Sequence, residues 1–260
     1  MELRKIMEAI EAACPTEYAM EWDNVGLLAG RKDKEVRSIY IALDATDEVV
    51  DAAIREGADL ILTHHPLLFS PMKQITDEGF IGRRIVRMIQ ADIAYYAMHT
   101  NYDVMRMGDL AGRMLELKEM EPLDVTWTDG ERKEGIGRIG MLEEPVTLEA
   151  CGRWVKDLFA LPGIRVFGEK EMQIRRLAVC PGSGKSEIGE ALAKGADVLV
   201  TGDIDHHSGI DAAAQGLAVI DAGHYGLEQI YIEDMKAFCE RQFPDVQVAA
   251  APAAHPFWTV

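Results

Sequence analysis

No stretch of this 260-residue chain stays apolar for anything near the roughly 20 residues that a membrane-spanning helix needs, so the expectation is a protein with no membrane partner. Basic residues are few as well. Twenty-seven Lys and Arg stand against 44 Asp and Glu, a formal charge of -17, and nowhere do the bases cluster. A surface this acidic repels phosphate backbones at long range, which argues against nucleic acid as a partner. Cysteine is scarce too: Cys14, Cys151, Cys180 and Cys239 lie far apart and form no C-x-x-C pair. They read as reduced, buried thiols, and a cytoplasmic location follows as the expectation. The opening "MELRKIMEAIEAAC" carries acids among apolar residues at helical spacing, unlike the uninterrupted apolar centre of a secretory leader.

What is present is a 48% apolar, 27% charged chain of ordinary globular composition, long enough for one large domain or two smaller ones. Short β-rich runs alternate with amphipathic helical stretches, the pattern of an α/β fold on largely parallel or mixed sheets. Strands are expected at 36–43, 59–63 and 92–98, with helices at 47–56 and 80–90. The order restarts near residue 120: strands at 135–142, 163–167, 174–180 and 196–201, helices at 147–159 and 185–194, and a long closing helix at about 224–242. The last dozen residues, rich in Ala and Pro, read as an irregular tail.

An internal echo runs through this pattern. "GADLILTHH" (57–65) is answered by "GADVLVTGDIDHH" (195–207), and "IAYYAMHTNYD" (93–103) by "LAVIDAGHYGLE" (217–228). Two matches in the same order suggest two related α/β modules, drawn here as residues 1–124 and 125–260, with the closing helix free to pack back on the first.

Six of the seven histidines, His64, His65, His99, His206, His207 and His224, fall just after expected strands, where open parallel sheets place their ligand sites. One such histidine is ordinary; six at equivalent positions point to a common site. Imidazole with carboxylate suits zinc, iron, manganese, nickel or cobalt better than calcium or magnesium. His224 and Glu228, spaced i, i+4, fall on one face of a helical first turn; His99 and Asp103 have the same spacing across a loop.

The phrases "WDNVGLL" (22–28), "THHPLLF" (63–69), "HTNYD" (99–103), "GDIDHH" (202–207) and "GHYGLE" (223–228) resemble, in order, the motifs of the Nif-three-like family of dinuclear metal proteins, homologues of GTP cyclohydrolase I type 2. The resemblance implies two similar, intertwined α/β/α modules enclosing a dinuclear metal site, without the inserted domain of longer members, and a ring-like homohexamer. It implies His64, His65, Asp103, His224 and Glu228 as ligands of two divalent ions, Glu228 being suited to bridge them. His99, His206 and His207 are then left to face substrate or move protons. On a regular strand successive side chains point to opposite faces, so His64 and His65 are expected to aim apart, one toward each ion. The implied reaction is hydrolytic opening of the guanine imidazole ring of GTP by metal-bound hydroxide. Two alternatives stay open: a non-catalytic metal-handling or scaffold protein, and a two-metal phosphoesterase.

Other features carry less. "CPGSGKS" (180–186) resembles a phosphate loop but has Val179 where the pattern needs glycine, so Gly182, Ser183 and Gly184 remain only weak substrate-binding candidates. Asp23 and Asn24 read as turn residues, Met105, Met107, Met114 and Met120 as packing, and His255 has no assigned role.

Overall fold

Gly57 and Gly195, which open the two Gly-Ala-Asp phrases, both adopt left-handed backbone, with φ of +68° and +67°. Each follows a helix, Asp47–Glu56 and Ile188–Ala193, and turns the chain out of it at a conformation glycine adopts without strain. The aspartate two residues on has the same task in both places. Asp59 Oδ2 accepts from the Arg37 and Ser38 amides (2.8 and 3.3 Å), and Asp197 Oδ2 from those of Arg175 and Arg176 (2.8 and 2.7 Å). The sequence echo is thus a repeated structural device: a glycine exit from a helix, then a carboxylate that fastens the neighbouring strand.

The computed structural model describes residues 1–258. Its strands, in chain order, are β1 (Gly26–Ala29), β2 (Ser38–Ala42), β3 (Leu60–Thr63), β4 (Ala94–Ala97), β5 (Lys118–Asp129), β6 (Arg132–Thr147), β7 (Arg165–Phe167), β8 (Gln173–Ser183), β9 (Val198–Gly202), β10 (Ala218–Asp221) and β11 (Gln247–Ala250). One compact unit comprises Met1–Tyr102 with Tyr231–Ala253, the other Asp103–Ile230 with the residues from Ala254. This division differs from the sequence halves at 124 and 125. The chain leaves the first unit inside one helical segment and re-enters it inside another, so neither crossing shows as a linker of distinct composition.

In the first unit a five-stranded sheet runs β1-β4-β3-β2-β11, parallel except for β1 against β4. The helices Asp47–Glu56 and Phe80–Gln90 pack Val50, Ala53, Ile85 and Met88 with Tyr40, Ile61 and Tyr95. Thr46 caps the first of these helices by accepting from the Val49 amide at 3.2 Å.

The second unit holds a six-stranded sheet, β5-β6-β8-β9-β10-β7, in which β8, β9 and β10 are parallel and the flanking pairs antiparallel. Its three parallel strands alternate strictly. Leu177, Val179, Val198, Val200, Ala218 and Ile220 face one core, while Ala178, Cys180, Leu199 and Val219 face another. Strands buried on both faces read as unbroken aliphatic runs, which is why "ADVLV" and "LAVI" stand out in the sequence. Met114 and Met120 pack against the first of these cores. No helix among the described residues is long and apolar enough to cross a membrane.

All four cysteines are free and buried, and burial pushes the Cys151 and Cys239 thiols up to about 12. A thiol-reactive dye is therefore expected to label almost none of them in the native chain and four per chain in denaturant. Rapid native labelling of even one would contradict this packing.

Candidate metal centre

The strand β3 ends at Thr63, and the next two residues bend. The Thr63 hydroxyl donates to the His65 carbonyl at 2.9 Å, and the Leu67 amide donates to the Tyr95 hydroxyl at 2.8 Å, fixing the turn before and after Pro66. Strand alternation therefore does not reach the histidine pair. The rings of His64 and His65 lie 4.8 Å apart instead of aiming to opposite faces, and His99, two residues beyond β4, joins them at 5.3 and 5.6 Å. One ligand atom from each of the three lies within 4.8 Å of the others. His64 is fully buried, its ring against those of Tyr102 and Tyr231, while His65 and His99 are half-buried.

In the second unit the spacing of His224 and Glu228 works as expected. Gly223, at φ +78°, starts the helix His224–Glu228, and His224 Nε2 lies 2.9 Å from Glu228 Oε2. The end of β8, at Cys180–Gly182, backs this pair. A Cβ on Gly182 would fall inside contact distance of Glu228 Oε1 and 3.9 Å from His224 Nε2. Burial, then the negative charge of Glu187, Asp103 and Glu228, pushes the Cys180 thiol well above its ordinary range, so Asp103 and Glu228 share this neighbourhood. Asp103 opens a single π-helical turn, Asp103–Met107, a distortion that recurs at functional sites.

The feature common to both units is how the imidazoles are held. His64 Nδ1 lies 2.8 Å from the Met98 carbonyl, His65 Nδ1 2.8 Å from Asp44, His99 Nδ1 2.9 Å from Asp23, and His224 Nδ1 2.8 Å from Asp203. Each partner accepts from Nδ1–H, which fixes the tautomer and leaves Nε2 as the basic nitrogen. Metal-binding histidines are oriented in this way. The donor set of each unit, the imidazoles of His64, His65 and His99 in the first and the imidazole of His224 with the carboxylates of Asp103 and Glu228 in the second, is of the kind that fits divalent ions accepting imidazole and carboxylate.

Three of these orienting carboxylates escape sequence reading. Asp44 and Asp203 lie just past β2 and β9, so their place at the carboxyl ends of strands was the available signal. Asp23, expected to be a turn residue, has a fully covered side chain that also accepts from the Thr100 amide (3.0 Å) and hydroxyl. Burial raises its pKa, but the bonds from His99 and Thr100 outweigh that and bring it to about 2. A depressed carboxyl stabilises the fold fully above its unfolded value of 3.8 and loses that stabilisation as pH falls toward about 2. The difference amounts to about 1–2 kcal/mol once solvent screening is allowed for. Asp23→Asn is thus expected to lower the urea midpoint at pH 6, with the gap to wild type narrowing below pH of about 4. A constant gap from pH 6 to 3 would contradict this assignment.

Of the remaining sequence candidates, His99 joins the first cluster, but His206 and His207 do not. They are exposed at the start of the helix His206–Ala214, their rings 5.2 Å apart, and among the described residues no group of potential ligands includes either. The strand registers explain why the echo misleads. Thr63 and Thr201 occupy matching positions, opposite Ala97 and Asp221, so the counterparts of His64 and His65 are Gly202 and Asp203. Gly182 and Gly184 are buried against Glu228 and Thr201, which gives them a packing role; Ser183 is exposed.

Residues 1–256 match the family model described as Duf34/NIF3 (NGG1p interacting factor 3). A Streptococcus pneumoniae protein named GTP cyclohydrolase 1 type 2 homolog is 38% identical over 239 residues, covering 90% of this chain and 88% of its own. A Methanocaldococcus jannaschii protein of the same name is 34% identical, covering 92% and 94%. Among solved structures, a Bacillus cereus protein related to NIF3 superposes with a TM-score of 0.91 at 28% identity over 100% of this chain and 99% of its own. Reduced HcgD from Methanocaldococcus jannaschii does so with a TM-score of 0.83 at 33% identity, covering 96% and 97%. A family match across nearly the whole length, with relatives above 30% identity over most of their own length and solved structures of the same fold, settles the kinship: the chain belongs to the DUF34/NIF3 family.

Proposed function

We propose that the protein is a metal-dependent hydrolase that holds two divalent ions through His64, His65, Asp103, His224 and Glu228, and that it opens the imidazole ring of guanine in GTP. The observation that carries this reading is the Nδ1 bonding of four histidines, which commits each Nε2 to an electrophile. The shared name of the curated relatives supports the substrate class. Divalent ions, when bound, lower the pKa of water from 15.7 to about 7 and polarise the group it attacks.

The chain's own residues supply the rest. In the reaction the oxygen of one water bonds to the carbon between the two imidazole nitrogens, one carbon–nitrogen bond breaks, and that nitrogen takes up a proton, leaving a formamide on the other nitrogen; a second water then cleaves the formamide, releasing formate and the free amine. His99 is the group proposed to move this proton; its Nδ1 bond to Asp23 and its grouping with His64 and His65 support that role. The buried wall of Tyr102 and Tyr231 behind His64 excludes water from that side, and the Tyr102 hydroxyl is held by Asp234 at 2.7 Å. The proposal includes a ring-like homohexamer working in the cytoplasm, its size open to sedimentation measurement.

The test incubates metal-reconstituted protein with GTP, other nucleotides and phosphoesters, and looks for formate and phosphate. Formate from GTP is the expected result. Phosphate without formate would make it a two-metal phosphoesterase, and no turnover with two ions retained would make it a metal-handling protein.

A further inference from the structure

Two large aromatic side chains stand in solvent beside the histidine cluster of the first unit. Trp22 is 59% exposed and Phe69 53% exposed. Their ring centroids lie 5.7 Å apart at 52°, and both meet His99 nearly edge-on, at 6.0 and 6.4 Å. We infer that Trp22 and Phe69 form a stacking platform for the flat heteroaromatic ring of the substrate, with His99 at the ring's edge. This rests on the proposed hydrolase reading and names the part of the substrate that the site grips.

Rigidity is the first argument. The loops that carry the two rings are tied to each other and to the site. The Asn24 side-chain amide donates to the Leu68 carbonyl, Asp23 binds His99 and Thr100, and the Met20 amide donates to the Thr100 hydroxyl at 2.8 Å. The rings are in aromatic contact with each other and with His99, so they form one continuous surface. The chemistry of the surroundings is the second. One side offers two π faces, the adjoining side the imidazoles of His99, His64 and His65. That pairing suits a molecule with an apolar face and a polar edge, which describes a purine and neither an alkyl chain nor a sugar. Charge is the third. With a net charge of -17 and no basic cluster, the protein gains little from grasping the triphosphate, so affinity through the ring avoids that repulsion.

The experiment titrates metal-free protein with guanosine, GTP and inorganic triphosphate, following tryptophan fluorescence and equilibrium dialysis. Guanosine and GTP are expected to quench emission and inorganic triphosphate to leave it unchanged. Trp22→Leu should abolish the quench and weaken guanosine binding by about 10- to 100-fold, with Phe69→Leu somewhat milder. Trp22→Tyr and Phe69→Tyr, which keep a ring, should retain most of the affinity and separate stacking from misfolding. Equal binding of triphosphate, unchanged binding by both leucine variants, or a change of oligomeric state in them, marking the patch as a subunit contact, would overturn the platform. Its failure is separable from that of the hydrolase reading. Formate released by Trp22→Leu at unchanged KM sinks the platform alone, whereas Trp22-dependent guanosine binding without formate sinks the hydrolase alone.

Discussion

Glu228→Gln is expected to leave the fold standing and to weaken metal binding by more than about 100-fold, beyond the 10- to 100-fold loss typical of removing an orienting partner such as Asp203. The change keeps the size of a buried side chain and removes the charge that faces His224 Nε2 at 2.9 Å. In the metal-free protein it also takes one negative charge from the crowd of Glu187, Asp103 and Glu228 around Cys180. The metal-free melting temperature should therefore hold within about 4 °C, a change of about 1 kcal/mol in a chain of this length. The metal-dependent gain in stability should shrink by about 2.7 kcal/mol for a hundredfold loss of affinity, or roughly 5 to 11 °C. Melting curves with and without added zinc or manganese check both statements. Undiminished metal protection would remove Glu228 from the ligand set.

Gly182→Ala should do similar damage from outside the ligand set. Gly182 has φ +82°, where a side chain is strained by about 1–2 kcal/mol, and its new methyl would press on Glu228 Oε1. A carboxylate at the end of a flexible chain can swing aside, so the added stability loss is modest. Swinging aside, however, withdraws the ligand. Gly216→Ala is the matched control, with φ +90° and nothing within 4 Å of the added methyl. Both variants should lose stability to a comparable extent, while only Gly182→Ala loses metal affinity, by at least about tenfold on titration. Equal metal affinities would mean that the end of β8 does not support Glu228.

Much of the fold was legible because its signals are local. The helix Asp47–Glu56 has a Thr46 cap and a Gly57 exit, and "LILT" and "VLVTG" are buried on both faces. The strand β5 carries no such signal, because most of its residues are exposed or half-buried and no apolar alternation marks it; β11, at the edge of the other sheet, is short and rich in alanine. The spacing predicts one closing helix over about 224–242, but it divides at Gln229 into His224–Glu228 and Ile230–Gln242.

The site divides along the same line. The relation of His224 to Glu228 follows from helical spacing alone. The convergence of His64, His65 and His99 depends on a bend after Thr63 fixed by hydroxyls far apart in sequence, and so could not be read from the strand's period. Asp23 was obscured by the turn-like composition of "WDN", although its partners lie 76 and 77 residues away.

The most direct test of the two-ion centre is a metal count on purified, reconstituted protein, combined with anomalous diffraction to place the ions. The account predicts two divalent ions per chain, ligated by His64, His65, Asp103, His224 and Glu228 through the histidine Nε2 atoms. One ion or none at saturation, or ions bound through other residues, would contradict it.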